Sequence, residues 1–289
     1  MSATPDDSRG EAKFVEVAAK VPYIPDSFSM QVHRRLDRYI SQDLMRNGIW
    51  EPFETKVFCR ICKAGDCVAD LGANIGWYSV IASRMVGVGG KVFSFEPDKD
   101  NFELLTHNLA TSAIGNVEAH NLAVGAHETI AKLFLSDDNL GDHRLFDDGI
   151  ARQSISVEVA TLDALFANPT QRPALVKSDT QGSEGKILRG ARRLLSENWR
   201  PAMILEFWPY GLTNSGSDPM ELYSQLAALK YRMFEVSEEH PKLVSVTEER
   251  LRARLGSDIS PQSMGHVNLL CIHEESPRLT LVEDLIEGA

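Results

Sequence analysis

The chain has 289 residues, of which 43% are hydrophobic, enough for a packed core in one large domain or two small ones. Its 30 Lys and Arg against 41 Asp and Glu give a formal charge of -11, which opposes non-specific binding to phosphate backbones or anionic membranes, so no nucleic-acid partner is expected. No apolar run approaches the roughly 20 residues that span a bilayer, and the first residues lack a signal-peptide pattern. The sequence therefore predicts no membrane span and a cytoplasmic location.

The amino-terminal part predicts helices that precede the main domain. Residues 1 to about 20 are polar and are expected to fray. Apolar residues at helical spacing predict one helix over residues 28–45, and a second is predicted over residues 51–62. Residues 1–62 would form a helical extension or lid, and residues 63–289 a single globular unit, because no internal repeat or linker marks a further domain.

The rest of the chain alternates strands and helices. Such alternation predicts an α/β fold with a parallel sheet covered by helices on both faces. The predicted strands are residues 67–71, 91–96, 117–124, 173–179, 203–207, 231–236 and 266–272. The predicted helices between them are residues 77–85, 98–111, 184–196 and 219–229.

The turn after the first of these strands indicates a nucleotide-like ligand. Asp70 ends the strand, and Gly72 and Gly76 bracket a turn in which a side chain would block a ligand. The second strand ends in Glu96, about 20 positions beyond the turn, which is the separation expected for a carboxylate that binds a ribose. The two features together are far more specific than either one.

Glycine spacing separates the two large enzyme classes that use such a turn. Dinucleotide oxidoreductases need G-x-G-x-x-G, so that the backbone can approach a pyrophosphate, but this chain has only GANIG between Gly72 and Gly76. S-adenosylmethionine (AdoMet) has no phosphate, and its ammonium and carboxylate must meet a side-chain carboxylate and turn amides. Asp70 beside Gly72 offers both, so the methyltransferase interpretation fits better.

A series of motifs follows the order of one known enzyme family. The motifs are DLGANIGWYS from Asp70, FEP from Phe95, NLAVG from Asn121, TLD from Thr161, VKSDTQGSE from Val176, LRGA from Leu188 and PAMILE from Pro201. Over roughly residues 50–210, this ordered series resembles the FkbM-type AdoMet-dependent methyltransferase family. The resemblance implies a class I, Rossmann-like methyltransferase fold with a seven-stranded, mostly parallel sheet whose last strand is antiparallel. It also implies O-methylation of hydroxyl groups on sugars or natural products. Many members have Glu where this chain has Gln181, and Ile or Val where it has Ser178.

The cofactor contacts are predicted along the carboxyl ends of the strands. Glu96 would accept hydrogen bonds from both ribose hydroxyls, unless it is an ordinary acid at a helix start. Asp70 would bind the AdoMet ammonium directly or through water, unless it caps its own turn. The remaining predicted cofactor contacts are Gly72, Ala73, Asn74, Gly76, Pro97, Asn121, Ala123 and Asp179.

Two acids at the ends of later strands are candidate catalytic residues. Asp179 ends the fourth strand and should face the methyl group, where it could accept a proton from a hydroxyl or orient the sulfonium; a helix cap is the alternative. Glu206 ends the fifth strand and is followed by aromatic residues, including Trp208, that suit the face of a sugar. Both acids are therefore assigned to the acceptor side.

Residues 134–156 are predicted to form an insertion over the active site. Its segment 137–149 holds five aspartates, one histidine and one arginine, without the spacing of a calcium loop, and reads as a solvated hairpin or a substrate-facing loop. His143 is the preferred general base because histidine titrates near neutrality, with a lone surface histidine as the alternative. The predicted acceptor contacts are Asp142, His143, Arg144, Gln181, Glu206 and Trp208.

Metal chemistry is not favoured by the sequence. Asp142, Asp179 and Glu206 could share a divalent cation, but no tight ligand spacing exists, and packing explains the C-x-x-C pair Cys59 and Cys62 equally well. No metal ligand is assigned. The sequence predicts an AdoMet-dependent O-methyltransferase that acts on a hydroxyl of a sugar, glycan or related small metabolite. An N-methyltransferase and an NAD-dependent oxidoreductase are the alternatives, and a homo-oligomer is left open.

Overall fold

A computed structural model describes residues 12–24, 26–35, 37–137 and 139–288 of the chain. Its strands are β1 Phe14–Ala18, β2 Ser29–His33, β3 Cys67–Leu71, β4 Lys91–Phe95, β5 Val117–His120, β6 Ala123–Val124, β7 Thr129–Phe134, β8 Ser154–Ala160, β9 Leu175–Ser178, β10 Ala202–Phe207, β11 Tyr231–Val236, β12 Val244–Ser245 and β13 Val267–His273. Its helices are α1 Ile40–Asn47, α2 Pro52–Ile61, α3 Trp77–Val86, α4 Lys99–Ser112, α5 Leu162–Leu165, α6 Glu184–Arg189, α7 Arg192–Ser196, α8 Pro209–Asn214, α9 Pro219–Ala228 and α10 Glu248–Leu255. Short 3-10 turns cover Pro169–Gln171, Pro277–Leu281 and Glu283–Leu285.

The central sheet has the strand order β12-β11-β13-β10-β9-β3-β4-β5. Strands β10, β9, β3, β4 and β5 are parallel, whereas β13 pairs antiparallel with both β10 and β11. Seven of these eight strands correspond to predicted strands, although β5 is shorter than predicted, and the last of them along the chain is antiparallel as expected. The eighth, β12, has two residues, too few for any periodicity to have marked it in the sequence. From β3 the chain adds β4 and β5 on one side, and then β9 and β10 on the other side. The strand order therefore reverses between β3 and β9, and open α/β folds bind ligands at such a point.

Two hydrophobic layers cover the faces of this sheet. Val68 of β3 packs with α2 and α3 on one face, and the next residue, Ala69, packs with α6, α7 and α9 on the other. This alternation follows from the period of two along a strand. Helices on both faces are therefore confirmed. In the described part of the chain, no helix combines the length and the apolarity needed to cross a bilayer.

The amino-terminal prediction was partly wrong. The segment predicted as a helix over residues 28–45 begins as β2, whose burial alternates from Ser29 to Val32, and which pairs antiparallel with β1. The helix α1 starts only at Ile40. Apolar residues four apart, at Phe28 and Val32, satisfy a period of two as well as a period of 3.6, so the pattern alone did not separate the two structures. The expected fraying of the first 20 residues is also wrong for β1, and residues 1–11 lie outside the described residues.

Two other predicted elements are divided. The third predicted strand ends at His120, and Ala123–Val124 belongs to a separate three-stranded sheet of order β6-β8-β7 that carries the insertion. The predicted helix over residues 184–196 is broken into α6 and α7 at Gly190, where an added Cβ would lie 2.1 Å from the Gly125 carbonyl oxygen. The break at Gly190 combines the low helix propensity of glycine with a close approach to a distant part of the chain.

Candidate active site

The turn between β3 and α3 has no room for a side chain at Gly72. The Gly72 and Ala73 amides both donate to the Phe95 carbonyl, at 2.9 and 3.0 Å, which fixes the turn against the end of β4. Gly72 has φ 77°, and a Cβ there would lie 2.0 Å from the Asp179 carbonyl oxygen. The turns that follow β3 and β9 are therefore in direct backbone contact, and only glycine permits this.

Glu96 presents an oriented carboxylate at the end of β4. The Asn74 amide donates to Oε2 at 2.8 Å, and the Asp98 amide donates to Oε1 at 2.9 Å. Burial raises the pKa of Glu96 to about 8, although these two amides oppose the rise. Each carboxylate oxygen can accept more than one hydrogen bond, so both retain capacity for a ligand. The arrangement suits a pair of adjacent hydroxyls, such as those of a ribose.

Asp70 is buried at the end of β3 beside two serines. Its Oδ2 accepts a hydrogen bond of 2.6 Å from the Ser79 hydroxyl, which lies 2.7 Å from the Ser94 hydroxyl. Burial raises the pKa of Asp70 to about 6. The side chain is thus held in one orientation at the floor of the cleft.

A cleft runs along the strand ends, where open α/β sheets bind their ligands. Along the cleft, the lining residues follow the spatial order of the strands, from β9 through β3 to β4. Beyond Glu96 the lining is mostly apolar and includes Pro97, Leu122, Ala123, Leu133, Leu140 and Leu145. On the β3 and β9 side it is aromatic and charged and includes Trp50, Asp70, Trp77, Tyr78, Lys177 and Asp179.

Asp179, Gln181 and Glu206 come together after β9 and β10. The Gln181 amide nitrogen donates to Asp179 Oδ1 at 2.9 Å and to Glu206 Oε1 at 3.2 Å. Gln181 has φ 52°, so this contact is made from the left-handed region. Burial, followed by the nearby Asp179 charge, raises the pKa of Glu206 well above its ordinary value. The Gln181 amide donates a hydrogen bond to each of these two acids. An ionised glutamate at position 181 could not do so, because it has no proton to donate.

His143 lies at the apolar end of the cleft, on the Glu96 side. Its Nδ1 accepts the Ser136 amide at 3.0 Å, and its Nε2 lies 4.0 Å from Asp98 Oδ1. Burial lowers the pKa of His143. In the neutral ring the proton therefore sits on Nε2, and neither nitrogen accepts a proton from a hydroxyl while the Ser136 bond persists.

Asp142 and Arg144 do not line the cleft and are held in ion pairs. Arg144 Nε binds Asp142 Oδ1 at 2.7 Å, its Nη1 binds Asp148, and Arg152 Nη2 binds Asp142 Oδ2 at 2.9 Å. The Arg144 guanidinium also lies 4.7 Å from the centre of the Trp208 ring. These contacts make the insertion a packed element, and the described neighbours cover Trp208 almost completely.

The structure thus divides the predicted site residues into two groups. The cleft is lined by Asp70, Gly72, Ala73, Asn74, Glu96, Pro97, Ala123, His143, Asp179 and Gln181. It is not lined by Gly76, Asn121, Asp142, Arg144, Glu206 and Trp208, all of which the structure describes. Of these, Asn121 is exposed and donates to the backbone carbonyls of Glu96 and Pro97. The insertion does reach the cleft, because the Leu140 carbonyl accepts the side-chain amides of Asn74 and Asn101 at 3.1 and 2.9 Å.

Sequence reasoning missed Lys177, which lines the cleft, and its ion-pair partner Glu54. Lys177 Nζ lies 2.9 Å from Glu54 Oε1, which also accepts the Tyr78 hydroxyl at 2.8 Å. A lysine inside a strand that is covered on both faces is unusual, and this was an available signal. The partner was not readable, because Glu54 lies on α2, far away in the sequence. Within the described ranges, no three His, Cys, Asp or Glu side chains are grouped as metal ligands would be.

The strand order and the cleft at the strand ends define a class I methyltransferase fold. The chain belongs to the FkbM methyltransferase family, since the family model "Methyltransferase FkbM domain" matches residues 70–233. A curated relative is the hexuronic acid methyltransferase AglP of Haloferax volcanii, 28% identical over 170 residues, which are 57% of this chain and 63% of that protein. The match therefore spans less than two thirds of that relative.

Solved structures of low sequence identity are also similar to this chain. Precorrin-6y C5,15-methyltransferase from Geobacter metallireducens is 13% identical, with a TM-score of 0.40, and the match covers 77% of this chain and 87% of that one. Aeropyrum pernix fibrillarin, in complex with natively bound S-adenosyl-L-methionine, is 11% identical with a TM-score of 0.43. That match covers 91% of this chain and 100% of fibrillarin.

Proposed function

We propose that this chain is an AdoMet-dependent O-methyltransferase that acts on a hydroxyl of a sugar, glycan or related small metabolite. The observation that carries the proposal is the buried Glu96 carboxylate, whose two oxygens are oriented by backbone amides beside the tight turn at Gly72. Membership of the FkbM family supports methyl transfer. The hexuronic acid in the name of AglP supports an acceptor related to a sugar.

The residues of the cleft fit the cofactor. Glu96 would accept the two ribose hydroxyls, and the apolar lining beyond it, including Leu133 and Leu145, suits an adenine ring. Asp70, on the other side of Glu96, would take the ammonium. When bound, AdoMet supplies a methyl group on a positively charged sulfur, which is already activated toward a nucleophile.

The protein's own contribution would be to hold the acceptor and to receive its proton. Asp179 lines the cleft with its side chain one-third exposed, and its Oδ1 is fixed by the Gln181 amide. Oδ2 is then available to an acceptor hydroxyl. Alignment of the reacting atoms supplies most of the acceleration in such a reaction. The geometry at His143 favours Asp179 as the proton acceptor, with His143 as a residue that holds the insertion over the cofactor side.

Calorimetry is the first test of this proposal. S-adenosylhomocysteine should bind and NAD should not; binding of NAD alone would show that the cleft serves an oxidoreductase instead. The second test uses methyl-labelled AdoMet with a panel of neutral sugars, uronic acids and amino sugars, followed by NMR of the product. An O-methyl resonance supports the proposal, whereas an N-methyl resonance would assign the acceptor to the amine class.

A further inference from the structure

One cation lies among the acids at the β3 and β9 side of the cleft. Lys177 is the only lysine or arginine among the described residues that line the cleft, and its side chain is 1% exposed. It stands next to Asp70 in the pairing of β3 with β9. Its ammonium lies 5.1 Å from the centre of the Tyr78 ring. The sheet therefore holds this charge at the cleft rather than at the protein surface.

The ammonium of Lys177 has unused hydrogen-bonding capacity. Its close contact among the described residues is the Glu54 oxygen at 2.9 Å, and Asp179 Oδ2 is more distant, at 3.8 Å. An ammonium has three N–H donors, so the ion pair with Glu54 leaves two of them for another partner. A buried donor without an acceptor is costly. An acceptor supplied by a ligand in the cleft would remove that cost.

The charges around Lys177 select the kind of ligand. Burial alone would lower the pKa of Lys177, but the carboxylates of Glu54, Asp179 and Glu51 outweigh it and hold the pKa above its ordinary value. Lys177 is therefore a permanent cation. Its surroundings already offer several acids to any positively charged group. Lys177 is the one cation among the described residues that line the cleft, so the ligand group that it favours is a carboxylate.

AdoMet has one such carboxylate, on its methionine group. With the ribose at Glu96 and the adenine in the apolar pocket beyond, the strand order would direct the amino-acid tail back across β3 toward β9. We propose that Lys177 binds the α-carboxylate of the cofactor's methionine group, and that Glu54 positions Lys177 for this contact. This inference rests on the proposed function.

Calorimetric binding of two ligands tests the inference without any turnover. S-adenosylhomocysteine carries the amino-acid tail, and 5′-methylthioadenosine lacks it. The K177M variant should lose about tenfold or more in affinity for S-adenosylhomocysteine, as expected for a lost charge-assisted hydrogen bond. Its affinity for 5′-methylthioadenosine should stay within about twofold of the wild type, because Glu96 and the adenine pocket are intact. That second value also shows that the variant is folded.

A double variant separates direct contact from electrostatic repulsion. In K177M alone, the unpaired Glu54 carboxylate would itself repel the ligand's carboxylate. The E54Q/K177M double variant removes that repulsion. If Lys177 contacts the ligand directly, the double variant should still show the loss of S-adenosylhomocysteine affinity. The E54Q single variant keeps Lys177 but loses its positioning partner, so it should weaken S-adenosylhomocysteine less than K177M does and leave 5′-methylthioadenosine affinity at the wild-type value.

Two outcomes would overturn the inference. Recovery of wild-type S-adenosylhomocysteine affinity in E54Q/K177M would show that Lys177 only neutralises Glu54. Unchanged affinity in K177M, with slower methyl transfer, would place Lys177 on the acceptor side. Failure of the proposed function looks different, because the wild-type protein would then bind neither ligand.

Discussion

At the scale of single residues, Glu96 shows how a buried carboxylate couples ligand binding to protons. Its pKa in the ligand-free protein is raised by burial to about 8, whereas an exposed glutamate titrates near 4.5. At a pH between these two pKa values, Glu96 is protonated in the folded protein and ionised in the unfolded chain. This carboxyl therefore favours folding below the lower value, and its contribution is lost as the pH rises toward the upper one.

We expect S-adenosylhomocysteine to bind more tightly as the pH rises from about 6 to about 8, because hydroxyl donors favour the ionised form of Glu96. Binding near pH 7 should release a proton. Calorimetry in two buffers of different ionisation enthalpy measures that release directly. Asp70, whose pKa burial raises to about 6, adds a smaller effect at the acidic end of this range.

Two variants provide the controls for the Glu96 prediction. E96Q should bind weakly and lose most of the pH dependence between pH 7 and 8. E103Q changes an exposed glutamate of α4 and should behave as the wild type. If E96Q released the same proton on binding, the proton would come from another group. Glu96 would then not be the ribose ligand.

At the scale of elements, the site depends on the close approach of two turns, which Gly72 permits. The G72A variant would force a Cβ to within 2.0 Å of the Asp179 carbonyl oxygen, at a backbone angle that L-residues rarely adopt. We expect a loss of about 2–4 kcal/mol in the free energy of unfolding, from overpacking plus backbone strain. Binding of S-adenosylhomocysteine should weaken as well. Urea unfolding followed by circular dichroism measures the first effect, and calorimetry the second.

A glycine elsewhere in the chain supplies the control for G72A. Gly89 lies in the turn before β4, where an added Cβ has no atom within 4 Å and the backbone has no positive φ. G89A should change the free energy of unfolding by no more than about 0.5 kcal/mol. Equal effects of the two substitutions would mean that the turns can separate without cost, contrary to the contact described here.

The central strands could be predicted from the sequence because their signals are local. A buried apolar run that ends in Asp70, Glu96 or Asp179 marks both a strand and the edge of the sheet at which a ligand binds. The insertion could not be predicted in the same way. There His143 faces the cleft and its neighbour Arg144 faces Trp208, and contacts between distant segments decide which side each takes.

The amino-terminal hairpin shows a second limit of sequence reasoning. Asn108 of α4 accepts the Gln31 amide at 2.7 Å and donates to the Gln31 carbonyl at 2.9 Å. The same amide nitrogen donates to the Ile75 carbonyl at 2.8 Å. One polar side chain therefore joins β2 to the start of α3. Such a bond has no signature in the local sequence around either partner.

At the scale of the whole molecule, the carboxyl-terminal segment ties together the elements that carry the site. Arg278 makes a bidentate ion pair with Asp66, in which Nη2 lies 2.8 Å from Oδ1 and Nη1 lies 2.9 Å from Oδ2. The same guanidinium also donates to the Ile61 carbonyl. Asp66 precedes β3, which leads to the glycine turn, and Ile61 ends α2, which carries Glu54. Both members of the ion pair are about nine-tenths buried. A single side chain thus joins the carboxyl-terminal segment to the end of α2 and to the residue before β3.

We expect R278A to lower the free energy of unfolding by about 3 kcal/mol, because it leaves the Asp66 carboxylate buried without its partner. Arg60 provides a matched control, since it pairs with Asp284 of the same carboxyl-terminal segment, at 3.1 Å, but on the exposed surface. R60A should cost at most about 1 kcal/mol. Urea unfolding measures both values. A loss in R278A no larger than that in R60A would show that solvent reaches Asp66, and that the carboxyl-terminal segment adds little to holding α2 and β3 together.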